Sequence, residues 1–505
     1  MICSRPPDPA PALCVFRQGG FLARSFRSLY GAQASLFFMV LFNLGGCAVG
    51  PNYRRPSVTM TPFHNAMLES VRSPGSHSLV RIDRWWEGFH DKELSRLVER
   101  VLAQNLDLDA SYARVRQADA SAASAAARLL PTLDFNSSAA ATHQSLWSRF
   151  GRIGSTIPGY SRDQRLYDVG AAASWEIDVF GGLRRGREAA RAEAQAADAL
   201  QTGVRITVVA DAVDAYLQIR GAQAQLLFAR QMVRNRAREL DLVKIRRARG
   251  AVDDRDIVNG VAALDDAKKA LPLLEIAREV QLNRLDVLSG VQPGTSAKEL
   301  AETASVPDPP AIPPGDSPTD VLRRRPDVIA AERRLAAANA RIGQVLSDYY
   351  PKISLSGLVG FESLRANKMF TPAGFQPLGE GALRWRIFDF GKIDAEVANA
   401  TGARAEALAS YRKSILQAVE DVEDALMSFD RTHERVEELA DKVSNLRHFA
   451  ALSDDNFRAG SESLSPVLEA EFHLLSSESE LVDSRVQSAQ AAVRTFRALG
   501  GGWTL

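Results

Sequence analysis

Cysteine is almost missing from this sequence of 505 residues, and all three cysteines lie within the first 47 positions. The chain after Cys47 therefore builds neither a disulfide framework nor a thiolate metal site. No two of the seven histidines stand three to five residues apart, which excludes a helical pair of metal ligands. The sequence also lacks a phosphate loop, a GxSxG nucleophile motif and a GxGxxG dinucleotide motif. We predict that the chain is not an enzyme and holds no cofactor, apart from the covalent lipid considered below.

An excess of charge is absent as well, because 62 lysine and arginine residues are balanced by 61 aspartate and glutamate residues, for a net charge of +1. This balance argues against nucleic acid as a partner, since nucleic-acid-binding surfaces are strongly basic. Beyond residue 47, no apolar run approaches the roughly 18 residues of a transmembrane helix. If this part of the chain crosses a membrane, we expect it to do so with β-strands.

The first 46 residues have the organisation of a secretion signal. Arg17, Arg24 and Arg27 precede an apolar run, Ser35–Leu44, which two glycines and then Cys47 follow. This order of basic, apolar and small residues is typical of a cleaved signal, and the run is too short to span a membrane. The sequence LGGC resembles the lipobox of bacterial lipoproteins, in which the cysteine sulfur receives a diacylglycerol and the cysteine becomes residue one. The alternative is an incidental cysteine in an ordinary signal peptide.

Acyl chains on Cys47 would hold the mature chain on a membrane surface. Ala48 follows the cysteine, at the position where enterobacterial lipoproteins retained at the inner membrane carry aspartate, and this favours the outer membrane. We therefore expect a signal peptide at residues 1–46 and a lipidated, extended segment at residues 47–80. Outer-membrane lipid is the expected partner of the anchor.

Two long stretches contain no proline: one runs from Pro158 to Pro272, the other from Pro377 to Pro466. Good helix formers fill both stretches, so they predict two very long helical regions. About 60 consecutive residues of the first stretch would make roughly 90 Å of helix. Residues 306–318, by contrast, hold six prolines and predict a linker.

The sequence is duplicated on the two sides of this linker. Trp175–Gly181 reads WEIDVFG and Trp385–Gly391 reads WRIFDFG, an offset of 210 residues that also relates Gly250 to Gly460. Upstream of these motifs the offset is 220, so the first copy holds ten extra residues, in a Gly-, Ser- and Arg-rich stretch that predicts a surface loop. We therefore predict two structural repeats. Their predicted bounds are 81–305 and 319–505.

Alternation of side chains predicts strands in both copies. Tyr167, Val169 and Ile177 share one face of a strand on which polar or small residues occupy the other face, and residues 353–362 alternate less purely. Each copy thus predicts one β-hairpin, preceded by a helix and followed by the long helical region. Four strands cannot close a barrel of useful width, and lipid does not tolerate open strand edges. Several chains are therefore expected to share one barrel.

Seven motifs in order resemble those of the TolC-like outer-membrane efflux factors, in their NodT-type lipoprotein branch. They are the leader and CAVGPNYRRP, WWEGFHDKEL, SWEIDVFGGLRR, RRPDVIAAERRLAAANARIG, YYPKISLSG and RALGGGW, which begin at residues 47, 85, 174, 324, 350 and 497. The resemblance covers essentially the whole mature chain. It implies an α+β membrane protein and a homotrimer, in which each chain gives four strands to a shared 12-stranded outer-membrane β-barrel and its helices to a long periplasmic α-helical barrel.

The resemblance also implies a function, that of the passive exit duct in a tripartite efflux system. In such a system an inner-membrane pump, here expected to be of the resistance-nodulation-division (RND) type, and a periplasmic adaptor deliver drugs or other small molecules. Two alternatives remain open. One is a channel of the same fold for type I protein secretion, and the other is a periplasmic coiled-coil lipoprotein scaffold that forms no channel.

Two turns are predicted to contact the adaptor. Each lies near the middle of its long helical region and has basic residues before a glycine, which is how one helix ends and the next begins. Since the hairpins at the opposite end lie in the membrane, these turns are expected at the periplasmic tip, where the adaptor docks in the family. The predicted contacts are Arg249, Gly250, Ala251, Ala459, Gly460 and Ser461, and Ser463 or Ser465 is expected to cap the returning helix. The alternative is that the glycines only stop helices.

Glu469 is predicted to line the closed periplasmic aperture. It lies nine residues past Gly460, where family members often carry an acidic residue. Three inward carboxylates would favour cations. Asp454 and Asp455 are further candidates, and the alternative for Glu469 is an ordinary solvated position.

Three other features receive structural interpretations. We expect Trp85 and Trp86 to be core aromatics. The repeated Trp175 and Trp385 are assigned to an interfacial aromatic belt. The charged residues Arg323, Arg324, Arg325 and Asp327 are expected to cap and solvate the first turns of the helix that follows them.

Overall fold

The computed structural model describes residues 48–57, 60–65, 81–312 and 318–503. Cys47 and the signal peptide predicted before it lie outside the described residues. In the described part of the chain, none of the helices combines the length and the apolar character that a bilayer span requires.

The first copy begins with short helices that lead into a β-hairpin, and it ends with two much longer helices. A 3-10 segment, Ile82–Phe89, precedes them. The elements are α1 (Lys92–Gln104), α2 (Leu106–Ala127), β1 (Thr132–His143), α3 (Arg149–Gly154), β2 (Asp163–Ile177), α4 (Gly182–Ala248) and α5 (Asp254–Leu288). The short helix α3 lies between the two strands, in the stretch that contains the ten-residue insertion.

The second copy repeats this order. Its elements are α6 (Pro318–Arg324), α7 (Pro326–Leu346), β3 (Lys352–Ser363), β4 (Phe375–Arg384), α8 (Lys392–Arg458) and α9 (Leu464–Ala498). Helices α4 and α8 both contain 67 residues, and α5 and α9 both contain 35. A helix of that larger size is roughly 100 Å long, so the very long helices and the duplication are confirmed.

The helices extend beyond the proline-free stretches. Pro272 lies inside α5 and has no amide hydrogen to donate to the carbonyl of Lys268. Both residues are exposed, so the Lys268 carbonyl is open to solvent. Pro466 lies in the first turn of α9, where amides have no partner within the helix in any case.

All four strands form one antiparallel sheet in the order β1-β2-β3-β4, so the central pair joins the two copies. Gly170 stands opposite Gly360 in that pair. A Cβ on Gly360 would lie 2.5 Å from the carbonyl oxygen of Val169, which shows that the close approach of β2 and β3 requires glycine here. Among the described strands, β1 and β4 each have a single neighbour, so the sheet has two unpaired edges.

The largest hydrophobic core joins the 3-10 segment and α1 to α4, α5 and α9. Trp85 and Trp86 are 1% and 3% exposed, which confirms that they are core aromatics. The ring of Trp85 stacks on Phe496 with a centroid distance of 5.3 Å. Tyr216 is buried beside them and donates to the Asp91 carboxylate at 2.6 Å; burial and this hydrogen bond raise the pKa of the phenol.

The predicted solvation of Arg323–Arg325 is wrong for Arg325, which is only 8% exposed. Its guanidinium donates to the carbonyl oxygen of Ala498 at 3.3 Å, at the end of α9. Carbonyls in the last turn of a helix have no partner within the helix, so an external donor stabilises them. Asn105, which lies 220 residues earlier, donates in the same way to the carbonyl of Leu288 at 2.8 Å, at the end of α5.

Candidate functional site: the helix tips and the strand–helix junctions

Both tip turns have the glycine-capped geometry that the sequence predicts. The φ angles of Gly250 and Gly460 are +73° and +76°, in the left-handed region. In each turn the amide of the next residue donates to the carbonyl five residues back, at 2.9 Å from Ala251 and 3.0 Å from Ser461. These bonds satisfy carbonyls of the last helical turn, as in a Schellman motif.

The surface around the two tip glycines is open. A Cβ built on Gly250 or Gly460 would meet no atom within 4 Å, so the backbone conformation alone requires glycine at these positions. The six predicted contact residues are all exposed, and they are Arg249, Gly250, Ala251, Ala459, Gly460 and Ser461. The structure therefore leaves these turns accessible, and adaptor contact at them stays a prediction.

The two tip turns belong to the same end of the molecule. Near the tips, the buried amide of Asn235 on α4 donates to the Leu468 carbonyl at 2.9 Å and to the Glu471 carboxylate at 3.1 Å on α9. The α4–α5 hairpin therefore lies beside the α8–α9 hairpin.

The returning helices begin differently in the two copies. Asp253 caps α5 through a reciprocal capping box, and Arg247 bridges the turn to Asp254 at 2.7 Å. This hydrogen bond from Arg247 lowers the pKa of Asp254 below its usual range. In the second copy Ser463 occupies the capping position, but its side chain makes no capping bond, so the expected capping by Ser463 or Ser465 is wrong.

Glu469 is the sixth residue of α9, with its side chain 74% exposed and 3.9 Å from the ring of His473. Its counterpart in the first copy is the uncharged Asn259, so the duplication gives one such carboxylate per chain. Asp454 is less available, because it pairs with Arg458 at 2.5 Å. The assignment of Glu469 to an aperture stays a prediction.

The repeated tryptophans tie each hairpin to the helix before it. The indole of Trp175 donates to the carbonyl of Leu129 at 2.9 Å, and that of Trp385 donates to the carbonyl of Tyr349 at 2.9 Å. The two acceptors are 220 residues apart, the offset that also relates the helices α2 and α7. The sequence predicted an aromatic belt here, and the structure adds a specific hydrogen bond that sequence reasoning missed.

The segment 48–57 forms a strap at the strand–helix junction of the first copy. The amide of Val49 donates to the carbonyl of Phe180 at 3.0 Å. Arg185, itself buried, donates to the carbonyls of Val49 and Gly50, both at 3.2 Å, and to the side chain of Asn52 at 2.7 Å. These charge-assisted bonds fix the strap against the start of α4.

Sequence reasoning missed the role of Arg185, although a signal was present. The counterpart of Arg185 in the second copy is Ala395, which has no donor. The strap also lies very close to α7, since a Cβ built on Gly50 would lie 2.4 Å from the Cα of Gly343. The strap therefore fits only one of the two equivalent junctions.

Within the described ranges, no group of three or more His, Cys, Asp or Glu side chains is placed to hold a metal ion.

Comparison with known proteins identifies the family. The chain matches the outer membrane efflux protein family over residues 97–291 and 318–501, which fall in the two copies. It is 32% identical over 462 residues to the pyoverdine export outer membrane protein OpmQ of Pseudomonas aeruginosa, covering 91% of this chain and 95% of the relative. It is 28% identical over 472 residues to Nodulation protein T of Rhizobium leguminosarum bv. trifolii, covering 92% of this chain and 96% of the relative.

A solved structure shows the same fold. The outer-membrane channel OprN is 30% identical, and its superposition has a TM-score of 0.79, covering 90% of this chain and all of that one. These findings confirm the resemblance to TolC-like, NodT-type factors. The chain therefore belongs to the outer membrane efflux protein family, and it is an outer-membrane channel component of an efflux system.

Proposed function

We propose that three copies of this chain form one closed channel, a passive exit duct for small molecules. The observation that carries this proposal is the four-stranded sheet with one unpaired edge at β1 and another at β4. Lipid offers no hydrogen-bond partners to the amides and carbonyls of such edges. Pairing of β4 in one copy with β1 in the next removes every edge and widens the enclosed space beyond what four strands allow.

The chemistry of β1 suits a barrel wall. Leu133 and Phe135, two residues apart and therefore on one face of the strand, are both 73% exposed. Asp134 and Asn136 point to the other face. Such a strand separates lipid from a water-filled pore, with the apolar face outward.

The energy for transport comes from partners in this proposal. The exposed tips dock a periplasmic adaptor, which connects the channel to an inner-membrane pump of the RND type. The relative OpmQ is named for the export of pyoverdine, a small molecule, and this supports small molecules as the cargo class. A wide water-filled duct selects weakly, so the pump does most of the selection.

The strap supports a lipid anchor on Cys47. Ala48, the next residue, packs against Gly181, where the chain passes from β2 into α4. A diacylglycerol attached one residue earlier would enter the membrane at the level where the barrel strands end. Anchor and barrel would then share one leaflet, which supports lipidation rather than an incidental cysteine.

Glu469 is assigned to the closed aperture. Three exposed carboxylates, one from each copy, would form a ring near the tip that attracts cations. Without bound cations their mutual repulsion resists a tighter closure.

Ion conductance of the purified protein in planar bilayers tests the proposal. We expect stepwise, cation-selective currents, and we expect Glu469→Ala to reduce this selectivity. The control is Glu480→Ala, which should retain it. Glu480 lies on the same helix as Glu469, and its carboxylate pairs with Lys442 of α8 at 3.3 Å. Absence of conductance would favour the periplasmic scaffold. A reversal potential unchanged by Glu469→Ala would remove Glu469 from the aperture and leave the channel intact.

A further inference from the structure

Two loops at one end of the sheet carry positive charge and no negative charge. These hairpin loops are residues 144–162, between β1 and β2, and residues 364–374, between β3 and β4. They contain no aspartate or glutamate, although acidic and basic residues are balanced in the chain as a whole. Their basic residues are Arg149, Arg152, Arg162, Arg365 and Lys368. The hairpin loops are therefore a basic surface on an otherwise balanced molecule.

Large apolar side chains are exposed in the same loops. In the first loop Trp147 is 94% exposed and Phe150 is 76% exposed, and in the second loop Phe370 is 72% exposed. Three more apolar side chains are each more than half exposed, namely Ile153, Ile157 and Leu364. A single exposed apolar residue is ordinary, but several in two adjacent loops mark a contact surface.

Packing within the first loop holds its apolar side chains outward. The glycines of the short helix α3, Gly151 and Gly154, are buried. A Cβ on Gly151 would lie 1.9 Å from the carbonyl oxygen of Ser145, so the glycine side of the helix lies directly on its own loop. Phe150 and Ile153 are three residues apart and share a different face, which is exposed. The helix thus has its small residues inside and its large apolar residues outside.

The basic side chains of the hairpin loops have no carboxylate partner in the described part of the chain. Arg162 donates to a main-chain carbonyl of its own loop at 3.1 Å. The nearest acid in the sequence, Asp163, is paired with His143 at 2.7 Å. Arg149 and Arg152 are three residues apart on α3, and both are exposed. Their charges are available to an anionic partner.

We propose that the hairpin loops bind the outer leaflet of the outer membrane. In this contact the apolar side chains enter the lipid, and the basic side chains bind the phosphate groups of the outer-leaflet glycolipid. Segments with Trp and Phe on one side and Arg on another lie in the interface of a membrane, and anionic lipid strengthens their binding.

The inference goes beyond the proposed function and rests on it only for the direction of the hairpins. The long helices leave the sheet at the end opposite the hairpin loops and extend into the periplasm, so the loops lie at the outer surface. Charge complementarity selects lipid over a second copy of the chain, because the loops of a second copy carry the same positive charge.

Quenching of Trp147 fluorescence tests insertion into the lipid. The protein is reconstituted in nanodiscs of phosphatidylcholine and lipid A, with a nitroxide on the phosphatidylcholine headgroup. The emission of Trp147 is the difference between the protein and its Trp147→Phe variant, and we expect the nitroxide to quench it. The matched difference for Trp503→Phe, at a position beyond the end of α9, should show no quenching.

Titration of the detergent-purified protein with lipid A, followed by native mass spectrometry, tests the phosphate contact. Arg149→Gln/Arg152→Gln should weaken lipid A binding about 30-fold, since each basic residue near an anionic surface contributes roughly fivefold. The control Arg234→Gln/Arg238→Gln removes the same charge from two exposed positions of α4 near the tips and should bind lipid A normally.

The outcomes separate this inference from the proposed channel. A conducting protein whose Trp147 emission is not quenched would overturn insertion of the loops and leave the channel standing. Equal binding of dephosphorylated lipid A, or displacement of lipid A by inorganic phosphate alone, would overturn the recognition of a phosphorylated lipid. A protein that gives no conductance but shows the quenching and the 30-fold loss would support the loop contact and overturn the channel.

Discussion

The long helices of the two copies are equal in length, yet they differ in how much of each helix is buried. Of the 67 residues in α4, 23 are buried, whereas only nine of the 67 residues in α8 are buried. In repeat proteins a unit buries its faces against its neighbours, so the last unit stays exposed until another unit covers it. The contrast between α4 and α8 is therefore the one expected of a chain that forms part of the proposed ring.

A second contrast concerns the strand–helix junctions. The strap 48–57 lies on the junction of the first copy, where Arg185 binds its carbonyls, and the alanine at the equivalent position of the second copy offers no such donor. A lipid on Cys47 would therefore anchor the chain beside its first copy only.

The largest effect is expected from Cys47→Ser, because the serine hydroxyl cannot replace the sulfur that accepts the diacylglycerol. Metabolic labelling with a radioactive fatty acid should show complete loss of label. Signal cleavage before residue 47 should fail as well. Retention of label in the variant would contradict the anchor at this residue.

Ala459→Trp, at the tip of the second copy, is expected to abolish drug efflux while the yield of assembled protein stays normal. A bulky indole beside Gly460 would block a docked partner, and Ala459 is itself exposed, so the turn can hold the larger side chain. Efflux is measured in a strain that lacks its own outer-membrane channel. Ala251→Trp places the same indole beside Gly250 and tests the first tip.

Ala301→Trp is the control for the tip variants, because residue 301 is exposed and lies between α5 and α6 rather than in a tip turn. It should retain efflux. Full resistance in both tip variants would show that the partner binds elsewhere.

Arg185→Ala should loosen the strap by about 2–3 kcal/mol, the range expected for lost hydrogen bonds to a charged group. Hydrogen exchange at the Val49 amide, which donates to Phe180, should then accelerate roughly 30- to 150-fold. Arg187→Ala, at an exposed position in the same turn of α4, should leave the exchange rate unchanged. Equal rates in the two variants would mean that Arg185 does not hold the strap.

The smallest effect is expected from the paired tryptophans. Trp175→Phe removes one hydrogen bond to the Leu129 carbonyl and should cost about 1 kcal/mol. The side chain of Trp385 is 54% exposed in the single chain, so Trp385→Phe should cost as much only if the next copy covers this side chain. Thermal dissociation of the assembled protein compares the two variants, and a negligible effect of Trp385→Phe would indicate an uncovered second junction.

The sequence predicted the features that depend on local chemistry. Prolines and glycines act on their own stretch of backbone, so the long helices and the turns at Gly250 and Gly460 could be read from their positions. The hairpins followed from the alternation in β2, and the internal offset predicted the symmetry of the two copies.

Features that depend on distant contacts could not be predicted in this way. Arg325 looked like part of a solvated run, because nothing nearby in sequence shows that the end of α9 needs a donor there. Arg185 binds carbonyls about 135 residues away in the sequence. Ser463 occupies the capping position that the local pattern predicts, but its side chain makes no capping hydrogen bond. A resemblance to a family placed Glu469 and the tip residues, and the single chain does not contain the ring that would give them their roles.

Native mass spectrometry of the detergent-purified protein tests the central claim most directly, namely that the exposed surfaces of one copy are covered by another. The account predicts a complex of three chains, because two different surfaces on each chain must both be covered in a closed ring and the proposed ring has three members. A stable single chain, or a dimer that does not add a third chain, would contradict it.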